Sequence, residues 1–271
     1  MKVVLFCGGL GTRIREYSEN IPKPMIPVGH QPILWHIMQY YSHFGHNDFV
    51  LCLGYKANTI KQFFLDYRPQ SFGDCVVSGY GGQVEMIGPR PADWRVSMID
   101  TGIWRNVGER LWAVRDQVKN EEIFLANYSD GLTDVDLSDM VAKFKASNKL
   151  ACFLAVRPPL SLHFADIATD DGRVQAIRTS QQMDMWINGG YFLLRPEIFD
   201  YMRDGEELVE QPFRRLIEKD LLMAYKHEGF WRAMDTLKDR QVFEDMVEHG
   251  RMPWRLGSAG TAPQTKTLVG E

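Results

Sequence analysis

The chain begins Met1-Lys2-Val3-Val4-Leu5-Phe6-Cys7-Gly8-Gly9-Leu10-Gly11-Thr12-Arg13. An apolar run that stops at glycines reads as a buried strand followed by a tight turn. Buried strands of this kind belong to sheets covered by helices on both faces. The glycines let backbone N–H groups approach phosphate oxygens with no Cβ in the way. Arg13 follows at once, and Lys23 comes next in a Pro22-Lys23-Pro24-Met25 segment. Two cations beside a glycine turn suit a triphosphate, because a leaving pyrophosphate needs positive charge.

Two familiar phosphate loops do not match. The dinucleotide fingerprint needs a third glycine where Ile14 stands, and the P-loop needs a lysine directly after its last glycine. What remains is G-G-x-G-T-R with a K-P-M downstream.

Apolar spacing places helices over 32–44, 59–64, 109–118, 137–147, 213–219 and 238–248, and strands over 3–6, 49–53, 123–126 and 150–156. The alternation predicts an α/β fold, a mostly parallel sheet with helices on both faces. Short strands over 165–177 around Asp170-Asp171-Gly172 predict a hairpin. Trp35, Met38 and Tyr41 read as core, and His36 as a structural histidine. No linker divides residues 1–256, which read as one domain, and the small polar residues 257–271 read as a flexible tail.

A net charge of −4 gives no basic footprint for nucleic acid. No apolar run reaches the ~20 residues of a membrane span, and the first strand has no signal-peptide cleavage pattern. Cys7, Cys52, Cys75 and Cys152 share no C-x-x-C spacing and read as reduced thiols of a cytoplasmic protein.

Ligands of an open parallel sheet bind beyond the carboxyl ends of its strands, where residues 8–13 lie. Asp130 follows the strand over 123–126, and Asp235 follows Phe230-Trp231-Arg232-Ala233-Met234. Each can cap a turn or hold a hard cation such as Mg²⁺. Arg110 reads either as a solvated charge at a helix start or as a ligand contact.

The glycine loop with K-P-M resembles the signature of the sugar-phosphate nucleotidyltransferases, most closely the glucose-1-phosphate cytidylyltransferase branch. Matching landmarks follow in order: Pro32-Ile33-Leu34-Trp35-His36-Ile37-Met38, Gly54-Tyr55-Lys56, Asp100-Thr101-Gly102, Gly108-Glu109-Arg110-Leu111, Asp130-Gly131, Ile187-Asn188-Gly189-Gly190 and Phe230 to Thr236. The resemblance runs to about Trp254. It implies a Rossmann-like domain with a small acceptor-side hairpin, transferring CMP from CTP to a phosphorylated small molecule with release of pyrophosphate, glucose 1-phosphate being the family default. It places Cys7, Gly8, Gly9, Gly11, Thr12, Arg13, Lys23, Arg110 and Ser129 at the nucleotide, with Arg13 and Lys23 catalytic. Asp130 and Asp235 would hold Mg²⁺, and Asn188 and Gly189 would face the acceptor. A homo-oligomer is also expected by resemblance.

Two acceptor-side features depart from the family. Its Glu-Lys-Pro motif is replaced here by a stretch from Arg178-Thr179-Ser180 to Trp186, and its Gly-Arg-Phe-Gly after the double proline by Leu160-Ser161-Leu162-His163. Arg178, Arg157 or His163 could replace the lost phosphate contact. Three alternatives remain open: a non-glucose phosphate or phosphonate acceptor, a nucleotide-binding relative without turnover, and an oxidoreductase disfavoured by the missing glycine.

Overall fold

The structure, a computed structural model, describes residues 1–11, 14, 21–67, 75–79, 83–86, 93–159 and 163–256. The expected tail lies outside them. Among the described residues the central sheet has seven strands: β1 (Lys2–Phe6), β2 (Asp48–Leu53), β3 (Arg95–Asp100), β4 (Phe124–Asn127), β5 (Ala151–Val156), β6 (Ile187–Leu194) and β7 (Leu222–His227). Their spatial order is β7-β5-β6-β4-β1-β2-β3. The first strand therefore lies in the middle, with Val3 registered to Phe49 on one side and Leu125 on the other. That explains its all-apolar sequence: Val3, Val4 and Leu5 are fully buried.

Helices cover both faces: α1 (Ile33–His43), α2 (Ala57–Leu65), α3 (Val107–Ala113), α4 (Arg115–Val118), α5 (Leu137–Lys145), α6 (Gln211–Glu218) and α7 (Leu237–Glu248). Alternate residues of each strand feed the two cores. Val3, Leu5, Leu51 and Leu125 pack with Ile37, Met38, Met140 and Phe243. Val4, Phe6, Val50 and Phe124 pack with Leu111, Val118, Ile198 and Leu216. Met38 and Tyr41 are core as expected, while Trp35 is half-buried and donates to the Tyr67 hydroxyl.

The single helix expected over 109–118 is two. Asn106 and Glu109 form a reciprocal cap that starts α3 earlier, and the chain breaks at Val114. The edge strands β3 and β7 escaped sequence reading because Arg95-Val96-Ser97-Met98-Ile99-Asp100 mixes polar and apolar residues, and the apolar run Leu222-Met223-Ala224-Tyr225 is short and gives way to Lys226-His227. Edge strands are half-solvated and need no continuous apolar run.

Six strands run parallel, and β6 alone runs against them. The expected hairpin explains the reversal. From β5 the chain passes into His163–Ile167 paired with Val174–Thr179, then re-enters the sheet where Val156 meets Ile187. With no crossover to the opposite edge, the next strand must run backwards. The start of β6 is thereby placed at the carboxyl edge of the parallel strands.

His36 is the satisfied structural histidine its sequence suggested. Nε2 lies 2.9 Å from the Val28 carbonyl, and Nδ1 accepts the Trp254 indole N–H at 3.3 Å. Both contacts need the neutral ring with its proton on Nε2. Burial pushes the imidazole down to about 4, against the Val28 hydrogen bond and with some help from Arg255. A folded-state value below the unfolded one means that stability is intact above the unfolded pKa and is lost as pH falls toward 4. Thermal unfolding followed between pH 7 and pH 4 should show a loss approaching about 3 kcal/mol from this group at the acid end. His36→Gln should flatten the part of that limb owed to this buried ring, leaving the part from half-buried His46, also held at about 4, which solvent screens more.

Candidate active site

The loops after β1, β2 and β3 meet on one buried side chain, Arg110 of α3, which is 3 % exposed. Its Nη1 donates to the Leu53 carbonyl at 3.2 Å, to Thr101 Oγ1 at 2.8 Å and to the Gly102 carbonyl at 2.8 Å. Its Nη2 donates to the carbonyls of Gly8 at 2.9 Å and Ile103 at 3.1 Å. The glycines pack against this group: a Cβ on Gly8 would lie 2.0 Å from Nη1, and one on Gly54 would lie 2.8 Å from it. Four separate sequence landmarks are thus one cluster. Arg110, expected at the nucleotide, does line the cleft, but its two terminal nitrogens hold the floor of the loops together.

Cys7 and Gly8 lie in that floor. Cys7 is fully buried, and its thiol, pushed up to about 12 by burial, donates to Ser129 Oγ. It supports the loop and is no nucleophile. Gly9 and Gly11 line the cleft, as do Lys23, Asn106, Tyr128, Ser129 and Asp130, around a volume of about 300 Å³. Thr12 and Arg13 lie outside the described residues.

Asp130 is aimed by a bend at the end of β4. The Asn127 carboxamide oxygen accepts the Ser129 N–H at 2.6 Å, and Ser129 takes a left-handed φ of 63°. Such strained residues concentrate at functional sites. Asp235 arrives from far along the chain on a short ribbon, Trp231–Ala233 paired with Gly131–Thr133. The Met234 N–H then donates to the Asp130 carbonyl at 2.8 Å, which sets the two aspartates side by side.

Lys23 lies between them. Its Nζ is 2.8 Å from Asp130 Oδ2 and 2.6 Å from Asp235 Oδ1. Burial alone would lower the ammonium's pKa, but the two carboxylates outweigh it and hold it above its ordinary value. Both carboxylates therefore converge on one cation position with hard oxygen donors, which fits a hard divalent cation. No group of three or more His, Cys, Asp or Glu able to hold a metal occurs among the described residues. The remaining ligands would be substrate phosphates and water, the usual arrangement for this ion.

On the acceptor side, the Gly190 N–H is capped by Asn188 Oδ1 at 2.9 Å, and Asn188 Nδ2 donates to the Tyr128 hydroxyl at 3.2 Å. The Gly189 carbonyl accepts the Trp231 indole N–H at 2.8 Å, tying β6 to the ribbon that carries Asp235. Arg178 is exposed on the hairpin and paired with Asp166. Arg157 lies over the Trp186 ring at 4.2 Å and pairs with Asp184 at 3.0 Å. Sequence reading missed Tyr128 and Asn106 at the cleft. The position of Tyr128 between a strand and Asp130 was the signal available.

A profile of the nucleotidyl transferase family matches residues 2–239. The chain belongs to this family. It is 38 % identical over 257 residues to a glucose-1-phosphate cytidylyltransferase of Salmonella typhimurium, covering 94 % of this chain and 99 % of that one. It is 39 % identical over 224 residues to a D-glycero-alpha-D-manno-heptose 1-phosphate guanylyltransferase of Campylobacter jejuni, covering 80 % and 88 %. Among solved structures, a UDP-glucose pyrophosphorylase from Acinetobacter baumanii superposes with a TM-score of 0.67 at 17 % identity, over 93 % of this chain and 95 % of that one. The fold is that of the nucleotidyltransferases, and this chain is such an enzyme. Among its described residues no helix is long and apolar enough to cross a membrane.

Arg110→Met should lower the melting temperature measured without nucleotide. The carbonyls of Gly8, Leu53, Gly102 and Ile103 would lose a donor. Gly8 and Leu53 keep donors from Tyr55 and Thr101, so the cost falls on the part-buried Gly102 and Ile103 carbonyls, at ~1–3 kcal/mol for a group left unpaired. An unchanged melting temperature with weakened nucleotide binding would instead make Arg110 a ligand contact only.

Proposed function

We propose that this nucleotidyltransferase transfers CMP from CTP to a phosphorylated small molecule and releases pyrophosphate, with Mg²⁺ as the metal. The observation that carries the reading is the contact of Lys23 with both Asp130 and Asp235 at the lip of the glycine-loop cleft. One cation and two carboxylates beside a phosphate cradle can neutralise and orient phosphoryl oxygens, which is what this transfer demands. A metal held by Asp130 and Asp235 would supply further charge neutralisation.

The chain's own residues divide the remaining work. Gly9 and Gly11 offer backbone to the triphosphate, and Arg13 is assigned to the same phosphates. Lys23 projects from a one-turn helix, Lys23–Met25, framed by prolines that fix its backbone. An acceptor phosphate, with a second pKa near ~6, is already nucleophilic at neutral pH. No strong general base is needed, and among the described residues no histidine lines the cleft. Asn188 and Gly189 present the opening of β6 to the acceptor. Arg178 is our candidate for its phosphate: the ion pair with Asp166 is solvent-exposed and worth at most ~1 kcal/mol, so it yields readily.

CTP is favoured by full-length similarity to a cytidylyltransferase. Glucose 1-phosphate is the default acceptor, while the altered Arg178-to-Trp186 stretch favours testing other phosphates and phosphonates. The experiment is pyrophosphate release with Mg²⁺, four nucleoside triphosphates and a panel of sugar phosphates, alcohol phosphates and phosphonates. Release with CTP and a phosphorylated acceptor is expected. Release with another nucleotide alone would overturn the base assignment, and nucleotide binding without release would make the chain a binding module. Asp130→Asn and Asp235→Asn should each cut turnover by about 10²-fold or more, while changing the melting temperature little. Full activity in both would remove the metal assignment.

A further inference from the structure

Lys23 bonds to both carboxylates assigned to the metal, and the two ion pairs are short and partly shielded. Side-chain exposure is 13 % for Lys23, 23 % for Asp130 and 29 % for Asp235. We propose that Lys23 is an internal counter-cation that shares the metal's position: its ammonium excludes free divalent ions, and metal enters only with a nucleotide whose phosphates draw Lys23 away. The proposal rests on the assignment of Asp130 and Asp235 as metal ligands.

Charge is the first argument. These two carboxylates and one ammonium sum to a formal charge of −1, so an arriving dication meets carboxylates already half-neutralised by a cation between them. Exchange of the ammonium for a dication neutralises the carboxylates and leaves Lys23 free to meet a polyanion, so each cation keeps an anionic partner. A triphosphate supplies that polyanion; a bare metal ion does not.

Local architecture is the second argument. Pro22, Pro24 and backbone bonds from Met25 to Pro22 and from Ile26 to Lys23 hold the turn. Pro24 is buried. Movement is thus confined to the four-carbon stem of the lysine, a flexible side chain with a compact charge and three donors. An arginine fork would be committed to one planar geometry. The protein groups that could compensate for the exchange are few: among the described residues no third ligating side chain joins the two aspartates. The site is incomplete as a metal cage without phosphate oxygens.

Binding of Mn²⁺ to nucleotide-free protein, read from the electron paramagnetic resonance of the free ion, tests this without turnover. Wild-type protein should bind Mn²⁺ weakly. Lys23→Met should bind it about tenfold more tightly or better, removal of a unit positive charge from the carboxylates being worth at least that factor. Lys23→Arg, which keeps the charge, should stay weak. The added affinity should vanish in Lys23→Met combined with Asp130→Asn. Equal Mn²⁺ affinity in wild type and Lys23→Met would overturn the exchange. Wild-type melting gives a second reading that needs no variant: Mg²⁺ alone should leave it unmoved, and Mg²⁺ with CTP should raise it. A rise with Mg²⁺ alone would overturn the proposal. The metal assignment itself fails separately, if tight Mn²⁺ binding to Lys23→Met survives loss of Asp130.

Discussion

The buried guanidinium of Arg110 is the interaction on which the site depends. A parallel sheet sends its strand ends out as independent loops, each with carbonyls that need donors. One side chain supplies donors to the loops after β1, β2 and β3 at once. The cost is a charged group 97 % removed from solvent, tolerable because its terminal N–H groups meet oxygens on every side. Gly8 and Gly54 then cannot carry side chains, since a Cβ at either would enter the space of the guanidinium. The missing side chains leave room for the arginine below, and on our proposal for phosphate above.

A second set of contacts joins donor and acceptor sides. The ribbon of Gly131–Thr133 with Trp231–Ala233 continues directly from Asp130 and into Asp235. Tyr191 of β6 donates to the Gly131 carbonyl at 2.8 Å, and Trp231 donates to Gly189. A shift of β6 would therefore be felt at both aspartates. Chemistry of this kind is mostly positioning and charge placement, and here the loop segments that carry the groups are tied down by the strands and ribbon beside them.

The side we propose for the acceptor is built differently. Arg157, Trp186 and Arg178 belong to the excursion between β5 and β6, with cation–ring and exposed ion-pair contacts. Exposed contacts are individually weak and readily exchanged. On our proposal, a fold organised in this way can change its acceptor without disturbing the triphosphate cradle, since the motif losses are confined to this excursion.

Much of the fold was legible because buried strands and amphipathic helices write their periods into sequence: β1, β2, β4, β5 and α1 each follow an apolar pattern. The hairpin was legible from Asp170-Asp171-Gly172. The edge strands β3 and β7 were not: β3 interrupts its apolar residues with Ser97, and the four apolar residues of β7 are a run too short to tell strand from helix. Residue chemistry alone singled out the glycine loop and Lys23, and resemblance added the two aspartates. Only the tertiary structure put Lys23 between those aspartates, because their meeting depends on a ribbon that pairs residues about a hundred positions apart. It also turned Arg110 inward, since an arginine at a helix start looks the same in sequence whether water or three strand ends surround it.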